Sequence, residues 1–210
     1  MVFGILQESD TVEASPSIPS DEDIQFGYHT ICGSQIKLSE DAHVAQKMDP
    51  DKYFSDGVTF SAKPLKGEAV FHVKISTHGS KWSRGLIIGV MRFEKNSSLF
   101  EHRIPRWSMD VTDQCCIWSS TKVYNRLDQS EKKGNYGSMD LDDLCEGDSV
   151  GLSLSSSGEL TFCVNGQGQG VAAVDVYDKK YDVYAVIDHC WNCYATTVIE
   201  AGMIIIMLYL

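Results

Sequence analysis

Three adjacent residues, Asp188, His189 and Cys190, carry the side-chain types of a nucleophilic site: an acid, a base and a thiol. Nucleophilic catalysis requires a base within reach of the nucleophile and a third group that orients the base. Consecutive residues of a strand, however, point alternately to opposite faces. The spacing therefore favours a structural role for the three, and we predict no catalytic residue in this chain.

The cysteines are the other candidates for site chemistry. Cys190 and Cys193 form a CxxC pair, but the sequence has no second pair to complete a four-ligand zinc site. Cys115 and Cys116 lie on opposite faces of a predicted strand, so they cannot bind one ion together. Free cysteines are commonly buried in cores. We predict packing cysteines, with no metal and no cofactor.

The glycine-rich run NGQGQG at 165–170 could in principle bind a phosphate. A dinucleotide site needs a strand, the spacing GxGxxG and a following helix whose amides meet the phosphates. Here the spacing is GxGxG and no helical pattern follows. Asn165-Gly166 is instead a dipeptide that tolerates the positive φ angles of a hairpin. The run therefore predicts a turn.

The elements that position these residues are predicted to be strands. In segment 69–76, Phe71, Val73 and Ile75 share one face while His72 and Lys74 share the other. The same alternation marks segments 57–61, 85–91, 115–118, 149–155, 159–165, 181–188 and 194–200. The clearest helical pattern is a single turn within 141–148. Because no helical crossovers are available, we predict an all-β, antiparallel two-sheet β-sandwich with long loops at 93–114 and 125–140.

Length and charge limit the classes of partner. At 210 residues one domain is expected. The net charge of −11 is concentrated in residues 1–23, which hold six acidic side chains and no Lys or Arg. No basic cluster is present, which disfavours nucleic acids and anionic membrane surfaces as partners.

The ends of the chain differ in composition from its middle. We predict a disordered acidic leader over 1–24, a β-sandwich domain over 25–201 and an apolar tail over 202–210. The tail is too short to span a bilayer, so no membrane span is expected. The first residues lack a secretory signal pattern, which favours reduced thiols and a cytoplasmic location.

Five segments, taken in order, resemble the sequence blocks of a Neuralized homology repeat. They are CGSQIKL at 32–38, VTFSAKPLKGEAVFHVKI at 58–75, WSRGLIIGV at 82–90, the stretch 141–173 with GDSVGL and NGQGQGVAA, and DHCWNC at 188–193. Cys32, Gln35, Met91 and Trp191 depart from the residues usual in that family. The chain is identified as a divergent member of the family.

This resemblance implies an SPRY-related, concanavalin-like jelly roll that recognises a protein or peptide segment. It also implies a role as a substrate-recognition adaptor in ubiquitin-linked regulation, with a ubiquitin ligase component as a candidate partner. No Cys or His follows Cys193 to form the zinc sites of a RING. We therefore expect ubiquitin transfer to depend on another chain.

Aromatic and arginine side chains in loops are the usual anchors of protein interfaces. We predict a partner-binding rim that contains Arg84, Trp107, Tyr124, Asn125 and Trp191. The acidic chain favours a neutral or basic partner. Trp82 and Trp118 are expected in the core, whereas Trp107 either anchors a partner or pins its own loop.

Two other classes of function remain open from the sequence. A carbohydrate-binding, lectin-like sandwich would use exposed Trp107 and Trp191 to stack sugars. A hydrolase or transferase centred on Cys190 is the third alternative.

Overall fold

A computed structural model of the chain describes residues 27–53, 55–79, 85–95, 104–110, 114–127, 136–190 and 192–199. These ranges contain twelve strands and two short 3-10 turns, and no α-helix. The predicted leader at 1–24 and tail at 202–210 lie outside the described residues.

Twelve strands form two antiparallel sheets. Numbered in chain order, they are β1 Ile36–Leu38, β2 Val44–Lys47, β3 Val58–Phe60, β4 Ala69–His78, β5 Leu86–Glu94, β6 Cys115–Ser119, β7 Lys122–Asn125, β8 Ser149–Leu154, β9 Leu160–Val164, β10 Gln167–Ala173, β11 Tyr181–His189 and β12 Cys193–Ile199. One sheet has the order β1-β2-β12-β4-β8-β9-β10 and the other β3-β11-β5-β6-β7. The predicted two-sheet antiparallel sandwich is confirmed.

Every strand predicted from alternation is present, and four further strands escaped prediction. β1 and β2 contain three and four residues, which is too short for alternation to stand out. β7 begins between the predicted strand 115–118 and the predicted loop 125–140, in a stretch that was assigned to neither. β10 contains two of the glycines of the NGQGQG run. Because glycine is depleted in strands, its composition did not predict a strand.

The main core lies between the sheets. Trp118 is fully buried there, as expected, with Tyr136 and Phe162 around it at ring-centroid distances of 5.3 and 5.5 Å. On β4, Phe71, Val73 and Ile75 all point into this core. The alternation seen in the sequence therefore identified the buried face correctly.

The outer face of the five-stranded sheet is also covered. A second apolar cluster on that face contains Phe60, Ile87, Met91, Ile117 and Val186. Ile104, Trp107 and Met109 pack against it from the segment before β6. Cys115 belongs to the outer cluster and Cys116 to the main core. Both are buried, because both faces of this sheet are covered. Their placement on opposite faces is confirmed.

The NGQGQG run turns the chain, as predicted. Asn165 has φ 48° and Gly166 φ 78°, the left-handed conformation of a tight hairpin. The hairpin joins β9 to β10, and the pairing of the two strands is irregular between Gly168 and Val171. The single helical turn expected near 141–148 is a 3-10 turn at Leu141–Asp143.

Candidate functional site

Asp188 and His189 end strand β11 and point to opposite faces of its sheet. Asp188 lies opposite Val58 and Ile87, so its side chain joins the outer face. Its Oδ2 accepts hydrogen bonds from the backbone N–H of Ser108 at 2.8 Å and from the Ser108 hydroxyl at 3.0 Å. This carboxylate therefore connects the sheet to the segment that covers it.

The side chains of His189 and Cys190 bond neither to each other nor to the Asp188 carboxylate. His189 Nδ1 lies 3.0 Å from the carbonyl oxygen of Gly57, and Nε2 lies 2.6 Å from Thr196 Oγ1. The Cys190 thiol donates to the carbonyl oxygen of Gly85 at 3.1 Å. The three neighbouring side chains thus bond to different partners, and alternation along β11 separates Asp188 from His189.

Burial governs the ionisation of this group of residues. Removal from water raises the pKa of Asp188 to about 6, although the Ser108 hydrogen bonds and the nearby Lys47 ammonium oppose the rise. Removal from water also lowers the pKa of His189 to about 4 and raises that of the Cys190 thiol well above its ordinary value. At neutral pH His189 is uncharged and Cys190 is a thiol, a state suited to packing rather than nucleophilic attack.

Lys47 is a buried lysine beside this group. It ends β2, is 2% exposed, and its Nζ has no hydrogen-bond partner among the described residues. The Asp188 Oδ1 atom is likewise buried without a partner in the described part of the chain. Desolvation lowers the pKa of Lys47, while the negative charge of the Asp188 carboxylate acts in the opposite direction. Sequence reasoning did not single out Lys47, since strand alternation alone does not distinguish a buried lysine from an exposed one.

The segment bound by Asp188 carries one wall of a pocket. Ser108 begins the 3-10 turn Ser108–Asp110, and its neighbours Trp107 and Met109 rest on the outer apolar cluster. The pocket has a volume of about 330 Å³. Its lining residues are Gly85, Leu86, Ile87, Trp107, Met109, Asp110, Ser119, Tyr124, Asp142 and Cys190.

Two of the predicted partner-binding residues meet in this pocket. Trp107 and Tyr124 come from different elements, the segment before β6 and strand β7, and both line the pocket and are partly exposed. Tyr124 pairs with Ile117 across β6 and β7, which places it on the same outer face. Asn125, by contrast, is 3% exposed, and its Oδ1 accepts a hydrogen bond from the N–H of Leu127. Its predicted contact with a partner stays a prediction.

Arg84 and Trp191, the other two predicted rim residues, lie outside the described residues. Each is a chain neighbour of a pocket-lining residue, since Arg84 precedes Gly85 and Trp191 follows Cys190. Trp82, expected in the core, also lies outside the described residues.

Sequence reasoning missed the two carboxylates of the pocket. Asp110 ends the 3-10 turn that follows Trp107, and Asp142 lies in the turn Leu141–Asp143. Asp142 Oδ1 accepts a hydrogen bond from the N–H of Gly85 at 3.1 Å, which holds its turn against the start of β5. No spacing pattern in the sequence links the two residues, because they line the same pocket only in the folded chain.

A second polar contact lies on the other sheet. His72, Gly151 and Cys163 are cross-strand neighbours on β4, β8 and β9, and His72 Nε2 lies 2.5 Å from Cys163 Sγ. Burial raises the pKa of Cys163 to about 12, so its thiol stays protonated at neutral pH. Within the described ranges, no three His, Cys, Asp or Glu side chains converge as a metal site would require. No helix there has the length and apolar character needed to cross a membrane.

Comparison with known proteins gives a consistent set of relatives. The sequence model of the Neuralized family matches residues 28–200. "Protein neuralized" of Drosophila virilis is 22% identical over 202 residues, covering 95% of this chain and 23% of that protein. The Drosophila melanogaster protein is 23% identical over 195 residues, covering 91% of this chain and 22% of its own length. The chain thus spans less than a quarter of these relatives.

Solved structures share the same sandwich. The crystal structure of the Drosophila melanogaster neuralized NHR1 domain has a TM-score of 0.60 at 18% identity, covering 83% of this chain and 98% of that one. The SPRY domain of human HERC1 has a TM-score of 0.57 at 14% identity, covering 84% and 99%. At these identities the likeness concerns the fold alone.

Proposed function

This chain belongs to the Neuralized family, and from that premise we propose that it is a protein-interaction module that captures a segment of a partner protein. The binding surface is the pocket between Trp107 and Tyr124 on the outer face of the five-stranded sheet. The observation that carries the proposal is that these two aromatic residues, predicted as members of one partner-binding rim, line one open pocket. Partly exposed aromatic side chains around a concavity are typical of interface hot spots.

The mode of binding follows from the way the pocket is built. Strands β5, β6 and β7 form its floor, and the turn held by Asp188 and Ser108 forms a wall. Because these elements are fixed by hydrogen bonds and burial, the partner segment meets a largely preformed surface and little ordering entropy is lost on the receptor side. We propose that Arg84 and Trp191 also contact the partner, since each adjoins a pocket-lining residue in sequence.

We further propose that the captured protein is a ubiquitination substrate or a ubiquitin ligase component, so that the chain acts as an adaptor in the cytoplasm and leaves catalysis to another protein. The family membership and the resemblance of the five sequence blocks support this part.

Affinity capture from cytosol with the full chain, followed by mass spectrometry, tests the proposal. Trp107→Ala and Tyr124→Ala are compared with Tyr181→Ala, a partly exposed tyrosine at the opposite end of β11. We expect proteins that bind the unmodified chain and the Tyr181 variant but are lost with both pocket variants. Ligase components or a ligase substrate among them support the adaptor role. Equal capture by all four proteins would refute the pocket as the binding surface.

A further inference from the structure

The pocket combines aromatic walls with negative charge. Trp107 and Tyr124 supply ring faces, Met109 supplies a polarisable thioether, and Asp110 and Asp142 supply carboxylates. No Lys or Arg is among its lining residues in the described part of the chain. An aromatic surface beside carboxylates attracts cations through both the ring quadrupole and direct Coulomb interaction.

The two carboxylates retain capacity to bind a ligand. Asp142 uses one oxygen to accept the Gly85 N–H, which leaves the other oxygen available for a further donor. Asp110 is exposed and forms no side-chain hydrogen bond or ion pair with the residues that the structure describes. A ligand that brings donors and positive charge would satisfy both groups.

Two cations of the described part of the chain lie on this face beside the pocket rather than in it. Lys122 begins β7 and Arg126 directly follows its end, so they flank Tyr124 at alternate positions and share its face, yet neither lines the pocket. They provide a natural control, because their removal changes the charge of the region without changing the pocket lining.

We infer that the pocket receives a single basic side chain, arginine or lysine, from the partner segment. The inference rests on the proposed function and names the chemistry of its anchor. The cation lies against the rings of Trp107 and Tyr124 and bonds to Asp110 and Asp142. Arginine suits the site better than lysine, because its planar guanidinium both stacks on aromatic rings and forks onto a carboxylate.

The charge complementarity extends beyond the pocket. The chain carries a net charge of −11, so a basic segment is attracted at long range while an acidic or phosphorylated segment is repelled. The pocket and the net charge of the chain therefore both favour a basic partner.

The test uses N-acetyl-arginine methylamide as probe and the citrulline compound as its neutral counterpart of nearly equal shape. Binding to the full 15N-labelled chain is followed by backbone amide shifts of Ile87, Tyr124 and Asp110. We expect saturable shifts at millimolar concentrations of the arginine probe, and at least about fivefold weaker binding of citrulline, given the usual strength of cation–π and surface ion-pair contacts.

Substitutions show which side chains bind the arginine probe. Asp110→Asn and Asp142→Asn each keep an amide oxygen as acceptor and are expected to weaken arginine binding about threefold to tenfold. Lys122→Ala should leave it unchanged or slightly tighter. Equal binding of arginine and citrulline, or arginine binding that is indifferent to both Asp variants, would overturn the inference.

The two proposals fail separately. If captured proteins depend on Trp107 while the arginine probe shows no preference over citrulline, the pocket binds a partner through a different anchor. If the probe binds with the expected dependence on charge while no captured protein depends on Trp107, the cation site stands and the partner surface lies elsewhere.

Discussion

Asp188 accepts two hydrogen bonds from Ser108, one from the backbone N–H at 2.8 Å and one from the hydroxyl at 3.0 Å. The residues are 80 positions apart, and Asp188 and Ser108 are both fully buried. This pair fastens the turn that carries Trp107 and Met109 to the end of β11. The shape of the pocket therefore depends on a polar contact that lies beneath it.

Removing this contact should loosen the pocket wall. Ser108→Ala deletes the hydroxyl bond and should lower the free energy of unfolding by about 1 kcal/mol. Asp188→Ala also leaves the Ser108 N–H and the Lys47 ammonium without compensation, and should cost about 2–3 kcal/mol. Urea unfolding measures both losses, and hydrogen exchange at Met109 reports the loosening directly. Unchanged exchange at Met109 in Asp188→Ala would show that the turn is held by other contacts.

Asp188 and His189 are expected to make opposite contributions to the pH dependence of folding stability. The folded-state pKa of Asp188 is raised from 3.8 to about 6, so the folded state binds the extra proton and stability falls as pH rises through that window. The pKa of His189 is lowered from 6.5 to about 4, so the unfolded state binds the extra proton and stability falls as pH decreases from 6.5 to 4. In the unmodified chain the two effects largely cancel between pH 4 and 6.

Asp188→Asn keeps an oxygen acceptor for Ser108 and removes the carboxyl titration, so the effect of His189 should become visible. We expect the variant, relative to the unmodified chain, to lose stability on acidification from pH 6.5 to 4 at up to about 1.4 kcal/mol per pH unit. Guanidinium unfolding at several pH values in this range measures the difference. Parallel pH profiles of the two proteins would contradict the assignment.

The sequence predicted the sheet-forming segments well because burial on one face imposes strict alternation, as on β4 with Phe71, Val73 and Ile75. It did not reveal β10, where glycines hide the strand, nor the burial of Asn125 and Lys47. Such positions depend on which loops close over the sheet. The candidate site could be predicted only in part for the same reason. Trp107 and Tyr124 were identified by residue type, whereas Asp110 and Asp142 come to line the same pocket only in the folded chain.

Gly151 leaves the space that His72 occupies. A Cβ at Gly151 would lie 1.5 Å from His72 Cδ2, so Gly151→Ala must displace the imidazole from Cys163. We expect a loss of about 1–3 kcal/mol from overpacking, with faster labelling of Cys163 by a thiol reagent, followed by peptide mass spectrometry.

Gly168→Ala is the matched control for this substitution. Gly168 pairs with Cys163 in the next strand, but the nearest atom to an added Cβ there, Thr161 Cγ2, is 3.9 Å away. The control should therefore leave Cys163 labelling unchanged. If Gly151→Ala behaves like Gly168→Ala, the imidazole does not depend on the glycine.

Lys47→Met tests whether the buried ammonium holds Asp188 in its charged form. Methionine has a similar length and an apolar end, so it fills the same space without the charge. Because the Lys47 charge lowers the pKa of Asp188, its removal should raise that pKa above about 6. The carboxyl 13C shift of Asp188, followed through a pH titration, measures the change.

Stability should respond to this substitution with a sign that depends on pH. Below pH 5 Asp188 is protonated in both proteins, so replacing a buried lysine with an apolar residue is expected to be neutral or stabilising. At pH 8 the unmodified chain has a compensated carboxylate and the variant does not, so the variant should be the less stable of the two. Lys37→Met, at an exposed lysine on β1, controls for the loss of one positive charge. An equal change of the Asp188 pKa in both variants would mean that Lys47 acts only through net charge. A change confined to Lys47→Met would show that the ammonium acts directly on the carboxylate that fastens the pocket wall.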